Sequence, residues 1–300
     1  MEQGKGLPGA IVREYLALMC QEMGLRATAR RLRTPYQRPA LPGQIHGAPR
    51  EPRLDITSSR LNATPVIIET ALERQLQFSP HSFQSRMRHD DPYALVAGYT
   101  RQMMSFLLFD PDPEHVLLIG LGGGSLAKFC YRHLPDARIT AVEIDERVIA
   151  MRDAFLIPPD DHRFRVVHDD GARYLARCER PVSAILIDAF DRDGVTPSLA
   201  SAAFFERAAA LLAPKGAVIM NLLGERQHFA EHLERAREVF GSRATLAQVT
   251  GSDNVLLYAF APGSAPPSAK HLYLRARHLQ SKIALNFRHY LKQIRQGQPL

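Results

Sequence analysis

The sequence has few cysteines and no long apolar run. Its three cysteines, Cys20, Cys130 and Cys178, lie far apart and form no C-x-x-C pair. A disulfide framework is therefore not expected, and a reducing, cytoplasmic location is predicted. No stretch reaches the roughly 18 to 20 uncharged apolar residues of a membrane-spanning helix. Arg13 and Glu14 also interrupt the apolar N-terminal run, so we expect neither a signal peptide nor a membrane partner.

Several catalytic signatures are missing as well. The chain contains no G-x-S-x-G elbow and no Walker phosphate loop. His228 and His232 have the four-residue spacing of a helical zinc pair, but no third ligand accompanies them. We therefore expect this helix to lie at the surface, and we predict no metal.

Acidic residues are absent from the last part of the chain. From Asn254 to Leu300 there are seven lysines and arginines and no acid, and residues 1–60 hold ten lysines and arginines against five acids. Because the whole chain carries a net charge of +7, the segment 61–253 is acidic. The positive charge lies at the two ends, which favours solvated basic surfaces over a nucleic-acid site.

A chain of 300 residues with 45% hydrophobic composition is long enough for one large domain with attachments. Residues 1–60, rich in Arg, Pro and Gly, are predicted to be a basic, disordered extension. Residues 61–110 read as a small β cap, with short strands at 66–69 and 74–78, followed by a helix from about Pro92 to Phe109. Residues 111–262 read as a Rossmann-like, cofactor-binding catalytic domain. Residues 263–300 are predicted to be a linker and a single basic C-terminal helix, about 271–295.

Strand and helix patterns alternate through the predicted catalytic domain. Apolar strands are expected at 116–119, 138–143, 164–167 and 183–187, each followed by a helical segment. Strands that are separated by helices form a parallel sheet. The sequence therefore predicts a doubly wound, Rossmann-like α/β fold.

A glycine-rich turn follows the first of these strands. Gly120, Gly122 and Gly124 lie between the strand and the next helix, where glycine lets the backbone approach a ligand closely. Glu143 ends the next strand, and an acid at that place accepts hydrogen bonds from both ribose hydroxyls. Nicotinamide and S-adenosyl cofactors both use this arrangement, so these residues indicate adenosine without distinguishing the two.

Further acids end the third and fourth strands. Asp170, followed by Gly171, comes after the third strand, and Asp188 and Asp191 come after the fourth. A ligand at this acidic edge is expected to be cationic or rich in hydrogen-bond donors. A sulfonium donor is cationic, whereas a dinucleotide pyrophosphate would be repelled, so the S-adenosyl cofactor is favoured. Helix capping and turn formation are the alternative explanation for Asp188 and Asp191.

The order of these motifs resembles the spermidine synthase (polyamine aminopropyltransferase) family, a branch of the class I S-adenosylmethionine-dependent methyltransferase fold. The similarity covers residues 64–262. It rests on Leu118-Ile119-Gly120-x-Gly122, Val142-Glu143-Ile144-Asp145, Asp170-Gly171 with Tyr174-Leu175, Ile187-Asp188-x-x-Asp191 and Leu212-x-Pro214-x-Gly216.

The resemblance implies a role for each matching acid. Glu143 would hold the ribose, Asp170 would bind the adenine amino group, and Asp188 would act as the base. Asp191 would contact the acceptor amine.

Two further residues match the family's substrate site. Gln84 resembles a donor-site glutamine, and Tyr99 resembles an acceptor-site tyrosine. With these, the resemblance implies transfer of an aminopropyl group from decarboxylated S-adenosylmethionine to a small-molecule amine, without a metal. A homodimer is a candidate assembly.

Two departures from the family pattern keep other functions open. The family's glycine loop carries an aspartate that grips the donor amine, whereas this chain has Ser125 after its glycines. Arg86, Arg88 and Arg101 would repel a polycation if they faced the pocket. The alternatives are a methyltransferase that uses intact S-adenosylmethionine and a non-catalytic nucleoside-binding protein.

Overall fold

A seven-stranded, mostly parallel sheet is the centre of the computed structural model. The structure describes residues 64–79, 82–191, 194–223, 226–263 and 267–297, all within one unit, Asp55–Leu300. The extension predicted at 1–60 lies outside the described residues. Within the described ranges, no helix is both long and apolar enough to cross a membrane.

The described strands and helices follow one another as the alternating pattern predicts. The strands are β1 Val66–Glu69, β2 Glu73–Ser79, β3 Ser82–Arg88, β4 His115–Ile119, β5 Arg138–Glu143, β6 Phe164–His168, β7 Val182–Ile187, β8 Phe190–Asp191, β9 Gly194–Val195, β10 Leu212–Leu222, β11 Ala244–Gln248 and β12 Val255–Phe260. The α-helices are α1 Gly98–Met103, α2 Ser125–His133, α3 Glu146–Ala150, α4 Gly171–Arg177, α5 Ala202–Leu211, α6 Arg226–Phe240, α7 Ala269–Lys282 and α8 Phe287–Gln296.

The order of the strands creates a topological switch point at the middle of the large sheet. That order is β11-β12-β10-β7-β4-β5-β6, and β12 runs antiparallel to both of its neighbours. The chain therefore leaves β4 toward one edge and continues from β7 toward the other. Ligands of such folds bind outside the carboxyl ends of the strands at this switch point. The predicted doubly wound, Rossmann-like fold is confirmed.

Two hydrophobic layers cover the two faces of this sheet. Successive side chains of β4 point to opposite faces, so Val116 and Leu118 join one layer and Leu117 and Ile119 join the other. All five residues of β4 are buried. A strand that is buried on both faces reads as a continuous apolar run, which explains why β4 and β7 were recognisable from sequence.

The N-terminal part of the described chain is a three-stranded antiparallel sheet, β1-β2-β3. The first two strands agree with the prediction, but the third, β3, was missed. The helix expected from about Pro92 begins later, at Gly98. Residues before it form a turn in which the amide of Ala94 donates to the carbonyl of Asp91 over 3.1 Å.

The C-terminal segment is two helices, which corrects the single helix predicted over 271–295. Helix α7 ends at Lys282 and Ile283 is extended, with φ −122° and ψ 125°. Helix α8 begins after Asn286, whose side chain accepts the amide of His289. Asparagine is a preferred N-cap, so a second helix start was encoded there.

Candidate active site

The glycine turn after β4 brings the chain close to the end of β7. Gly120 has a positive φ of 95°, which favours glycine, and a Cβ at that position would lie 2.3 Å from the carbonyl oxygen of Asp188. The amide of Asp188 donates to the carbonyl of Ile119 over 2.9 Å. Gly122 and Gly124 also have positive φ, and α2 starts directly after them. The turn therefore lies beside the predicted base.

Glu143 ends β5, and its carboxylate stabilises the glycine turn by a hydrogen bond to the backbone of Leu121. Its carboxylate accepts the amide of Leu121 at 2.8 Å and the amide of Asp145 at 3.0 Å, one on each oxygen. A carboxylate has about four acceptor positions, so two remain for further donors. This geometry leaves room for the two ribose hydroxyls that the sequence assigns to Glu143.

Two neighbouring acids follow β6 and have different partners. Asp170 caps α4 by accepting the amide of Arg173 at 2.8 Å, while Gly171 packs its backbone against Ile119. Asp169 is buried and forms ion pairs with Arg173 and Arg177. Burial acts to raise the pKa of Asp169, but the two guanidinium groups outweigh it and the pKa is lowered. Asp169 is thus paired with two arginines, whereas Asp170 caps α4 after the carboxyl end of β6.

Asp188 follows β7, and both of its carboxylate oxygens are hydrogen bonded. Tyr99 Oη donates to Oδ2 over 3.1 Å, and Asn221 Nδ2 donates to Oδ1 over 3.0 Å. Burial raises the pKa of Asp188 above its usual value, although the bonds from Asn221 and Tyr99 act to lower it. The described partners of the Asp188 side chain are therefore a phenol and an amide side chain, and not the backbone amides of a helix N-terminus.

Tyr99 is the donor to Asp188 from α1. Its pKa is raised well above 10, first by burial, then by the charge of Asp188 and the bond to it, while Arg86 acts in the opposite direction. The phenol therefore stays protonated at neutral pH and remains a donor. The resemblance to the family predicts that Tyr99 and Asp188 belong to one substrate site. The structure places the two side chains in direct contact.

The three arginines that the sequence raised as a barrier to a polycation have separate partners. Arg88 pairs with Asp90, and Arg101 donates to the carbonyls of Leu95 and Val96. Arg86 Nη1 lies 3.8 Å from Glu73 Oε2. Of the three, Arg86 is the one whose charge acts on Tyr99.

The small β sheet reaches the glycine turn through Ser85 of β3. The hydroxyls of Ser85 and Ser125 lie 3.2 Å apart, and a Cβ on Gly123 would lie 2.7 Å from Ser85 Oγ. Sequence reasoning did not find this contact. The hydroxyl of Ser125 therefore has a partner at the place where the family pattern has an acid.

Asn221 and Asn254 are the site residues that sequence reasoning missed. Asn221 lies in β10 and is 1% exposed, and its Oδ1 accepts Asn254 Nδ2 over 2.9 Å. The signal was an amide inside the apolar run Ala217-Val218-Ile219-Met220-Asn221-Leu222. A buried polar side chain needs a hydrogen-bond partner, so an amide at this position indicates a buried hydrogen-bond network.

Other predicted residues lie partly outside what the structure describes. Gln84 is in β3 and Asp191 in β8, but their side chains are outside the described part of the chain, as is that of His228. Within the described residues, no group of three or more potential metal ligands comes together.

Comparison with known proteins gives a consistent family. Residues 97–250 match the model of the spermine/spermidine synthase domain. A polyamine aminopropyltransferase of Chromobacterium violaceum is 36% identical over 224 residues, which cover 74% of this chain and 86% of that protein.

Solved structures share the fold. A probable spermidine synthase from Corynebacterium glutamicum superposes with a TM-score of 0.60 at 17% identity, covering 79% of this chain and 92% of that one. Human methyltransferase-like protein 13 in complex with SAH gives a TM-score of 0.57 at 22% identity, covering 63% and 93%. At these identities the two likenesses show the fold alone.

Proposed function

The chain belongs to the spermine/spermidine synthase domain family, and we propose that it is a polyamine aminopropyltransferase with Asp188 as its general base. The reaction moves an aminopropyl group from decarboxylated S-adenosylmethionine to a small-molecule amine. The amine attacks the donor carbon next to the sulfonium, the carbon–sulfur bond breaks, and methylthioadenosine leaves with the bond electrons. The attacking nitrogen then gives up one proton.

The position of Asp188 is the observation that carries the proposal. It lies at the switch point between β4 and β7, its backbone is bonded to Ile119, and its carboxylate is held by Tyr99 and Asn221. Ligands bind at this point in folds of this type. Asp188 is therefore held on the sheet beside the glycine turn, where we expect the donor's adenosine, and this position supports its assignment as the base.

The reaction needs a base because the nucleophile must have a free lone pair. An alkylamine with a pKa of ~10.4, like that of lysine, is unprotonated in only about one molecule in a thousand at neutral pH. A carboxylate within hydrogen-bond reach accepts the proton as attack proceeds. Because only the ionised form accepts a proton, kcat/KM is expected to fall as pH falls through the pKa of Asp188.

The donor site is assigned to two acids on the other side of the switch point. Glu143 would accept the ribose hydroxyls, since its two existing bonds leave acceptor capacity. Asp170 would take the adenine amino group. These residues suit any S-adenosyl donor, so they support the cofactor class and not the choice between intact and decarboxylated forms.

A methyltransferase is the second candidate, and Ser125 is the observation that favours it. The hydroxyl at this position, bonded to Ser85, carries no charge to hold a donor amine. Polyamine aminopropyltransferases match 74% and 75% of this chain at 36% and 32% identity, whereas a methyltransferase relative matches 64% of it at 27% identity, so we place methyl transfer second.

The two candidates are separated by their nucleoside products. The protein would be incubated with each donor and a series of linear diamines, and the products identified by mass spectrometry. We expect methylthioadenosine with the decarboxylated donor. S-adenosylhomocysteine from the intact donor would favour the methyltransferase, and neither product with any amine would favour a nucleoside-binding protein.

Variants then test the base. Asp188→Asn should lower kcat by about 10² to 10⁴ while leaving methylthioadenosine affinity nearly unchanged. The exposed Asp136 gives the matched control, because Asp136→Asn should alter neither quantity. Wild-type turnover in Asp188→Asn would remove it from this role.

A homodimer and a cytoplasmic location stay proposals from the sequence. Light scattering of the purified protein and imaging of a tagged full chain would test them.

A further inference from the structure

Two buried asparagines connect Asp188 to the far strands of the sheet. Asn221 lies in β10, next to β7, and Asn254 directly precedes β12 on its other side. They are 1% and 8% exposed. Asn254 Nδ2 donates to Asn221 Oδ1 over 2.9 Å, and Asn221 Nδ2 donates to Asp188 Oδ1 over 3.0 Å. The carboxylate is thus the end of a chain of amides.

The direction of these hydrogen bonds is set by the ionised carboxylate, which can only accept, and the bonds at the outer end agree with it. The hydroxyl of Ser252 donates to Asn254 Oδ1, which leaves Asn254 Nδ2 to donate onward. The carbonyl of Asn254 accepts from Val249 N at 3.0 Å and from Gln248 Nε2 at 3.1 Å, so its backbone is held as well. Asn221 must then present Oδ1 to Asn254 and Nδ2 to Asp188. A flipped amide would face the carboxylate with an oxygen lone pair.

The carboxylate plane is determined by donors on both oxygens. Asn221 binds Oδ1 and Tyr99 binds Oδ2, so rotation about the Cβ–Cγ bond of Asp188 would break both bonds. We propose that Asn221, held in place by Asn254, is a positioning residue that fixes the carboxylate of Asp188 as the proton acceptor. This proposal rests on the proposed function, because it assigns Asp188 the role of base.

Electrostatics adds to the geometric argument. Burial raises the pKa of Asp188, and the donated N–H of Asn221 is the larger of the two bonds that oppose this rise. Tyr99 is the titratable group that contacts the carboxylate among the described residues, and it stays protonated because its own pKa is raised. Arg86, from β3, acts on Tyr99. Loss of the Asn221 amide should therefore keep Asp188 protonated to higher pH.

The first measurement does not depend on turnover. The protein would be labelled with ¹³C at the aspartate carboxyl carbons, and the Asp188 signal would be assigned by its loss in Asp188→Asn. In Asn221→Leu, which has similar size but no donor, the titration midpoint of Asp188 should rise by about one pH unit or more, the change that corresponds to one hydrogen bond to a charged group. Asn254→Ala should move it in the same direction by less, because Asn221 is then free to rotate.

The matched control is Asn286→Ala. This asparagine caps α8 by accepting the amide of His289, and among the described residues it makes no hydrogen bond with Asp188, Asn221 or Asn254, so its loss tests general destabilisation and should leave the midpoint unchanged. If Asn221→Leu does not fold, Asn254→Ala carries the test. An unchanged Asp188 midpoint in every folded variant of Asn221 and Asn254 would overturn the proposal.

The second measurement links the network to the reaction. On the acid side of the pH profile, kcat/KM of Asn221→Leu should fall about tenfold if the Asp188 midpoint rises by about one pH unit, and the difference should narrow at higher pH. Methylthioadenosine affinity should be unchanged. A raised midpoint with a wild-type pH profile would overturn the positioning role and leave aminopropyl transfer standing. Absence of turnover in the wild-type protein would instead contradict the proposed function, while the carbon titration would still test the network.

Discussion

Replacement of Glu143 is the sharpest test of the adenosine site. In Glu143→Ala the carboxylate is lost together with the two bonds that it accepts from Leu121 N and Asp145 N. The glycine turn loses its support, and a bound nucleoside loses the acceptor for two ribose hydroxyls. Both effects should weaken binding.

The magnitude follows from the bonds involved. A hydrogen bond to a charged group contributes about 1.5 to 3 kcal/mol, and about 1.4 kcal/mol is a factor of ten in affinity. Loss of even one ribose bond therefore predicts at least a tenfold weaker binding of methylthioadenosine. Two independent bonds would predict about a hundredfold or more.

Isothermal titration calorimetry with methylthioadenosine measures this directly, without turnover or an acceptor. Glu146, three residues further on, is exposed at the start of α3 and provides the control. Glu146→Ala should bind like the wild type. Equal affinity of Glu143→Ala and the wild type, with both folded, would refute the adenosine site.

Three further predictions concern the scaffold. Gly120→Ala should lower the melting temperature more than Gly251→Ala. Both glycines have a positive φ, but only a Cβ at Gly120 would meet a backbone atom, the carbonyl oxygen of Asp188 at 2.3 Å. Equal decreases in melting temperature would contradict this close approach. Lys128 is fully buried and its pKa is lowered from 10.5 to about 8, chiefly by burial, so the unfolded chain holds its proton to higher pH. The free energy of unfolding should therefore rise by about 3 kcal/mol between about pH 8 and 10.5, relative to that of Lys128→Met. Urea denaturation at each pH measures this free energy, and the same pH dependence in both proteins would refute the prediction. Deletion of residues 268–300 should lower the melting temperature, since α7 and α8 bury apolar faces; an unchanged value would show that they are dispensable.

The sheet and its ligand edge were predictable because burial leaves a direct trace in composition. The strands β4 and β7 are apolar on both faces, and β4 is followed by glycines whose positive φ values are typical of a tight turn. Acids at the ends of successive parallel strands share an edge, so Glu143 and Asp188 were assigned to one site from their order alone. The fold and the family are confirmed, while the roles of these residues stay predictions.

The missed features depend on contacts that sequence order does not reveal. Strand β3 follows a turn and contains Arg86 and Arg88, so it lacks the apolar alternation of a half-buried strand. The break between α7 and α8 was obscured because Ile283 and Phe287 continue a helical spacing across it. Asn221 was visible as a polar residue in an apolar run, but its partner Asn254 lies 33 residues away in the chain.

The residues proposed to bind the donor and the residues that support Asp188 lie on opposite sides of the switch point. The residues assigned to the donor follow β4, β5 and β6, whereas the supports of Asp188 come from β10 and the approach to β12. In the proposed enzyme, the spacing between the donor site and Asp188 is set by the pairing of β4 with β7, a register held by backbone hydrogen bonds. Residues that select the proposed acceptor can therefore change while the β4–β7 pairing stays the same, which would separate substrate preference from the chemistry of the reaction.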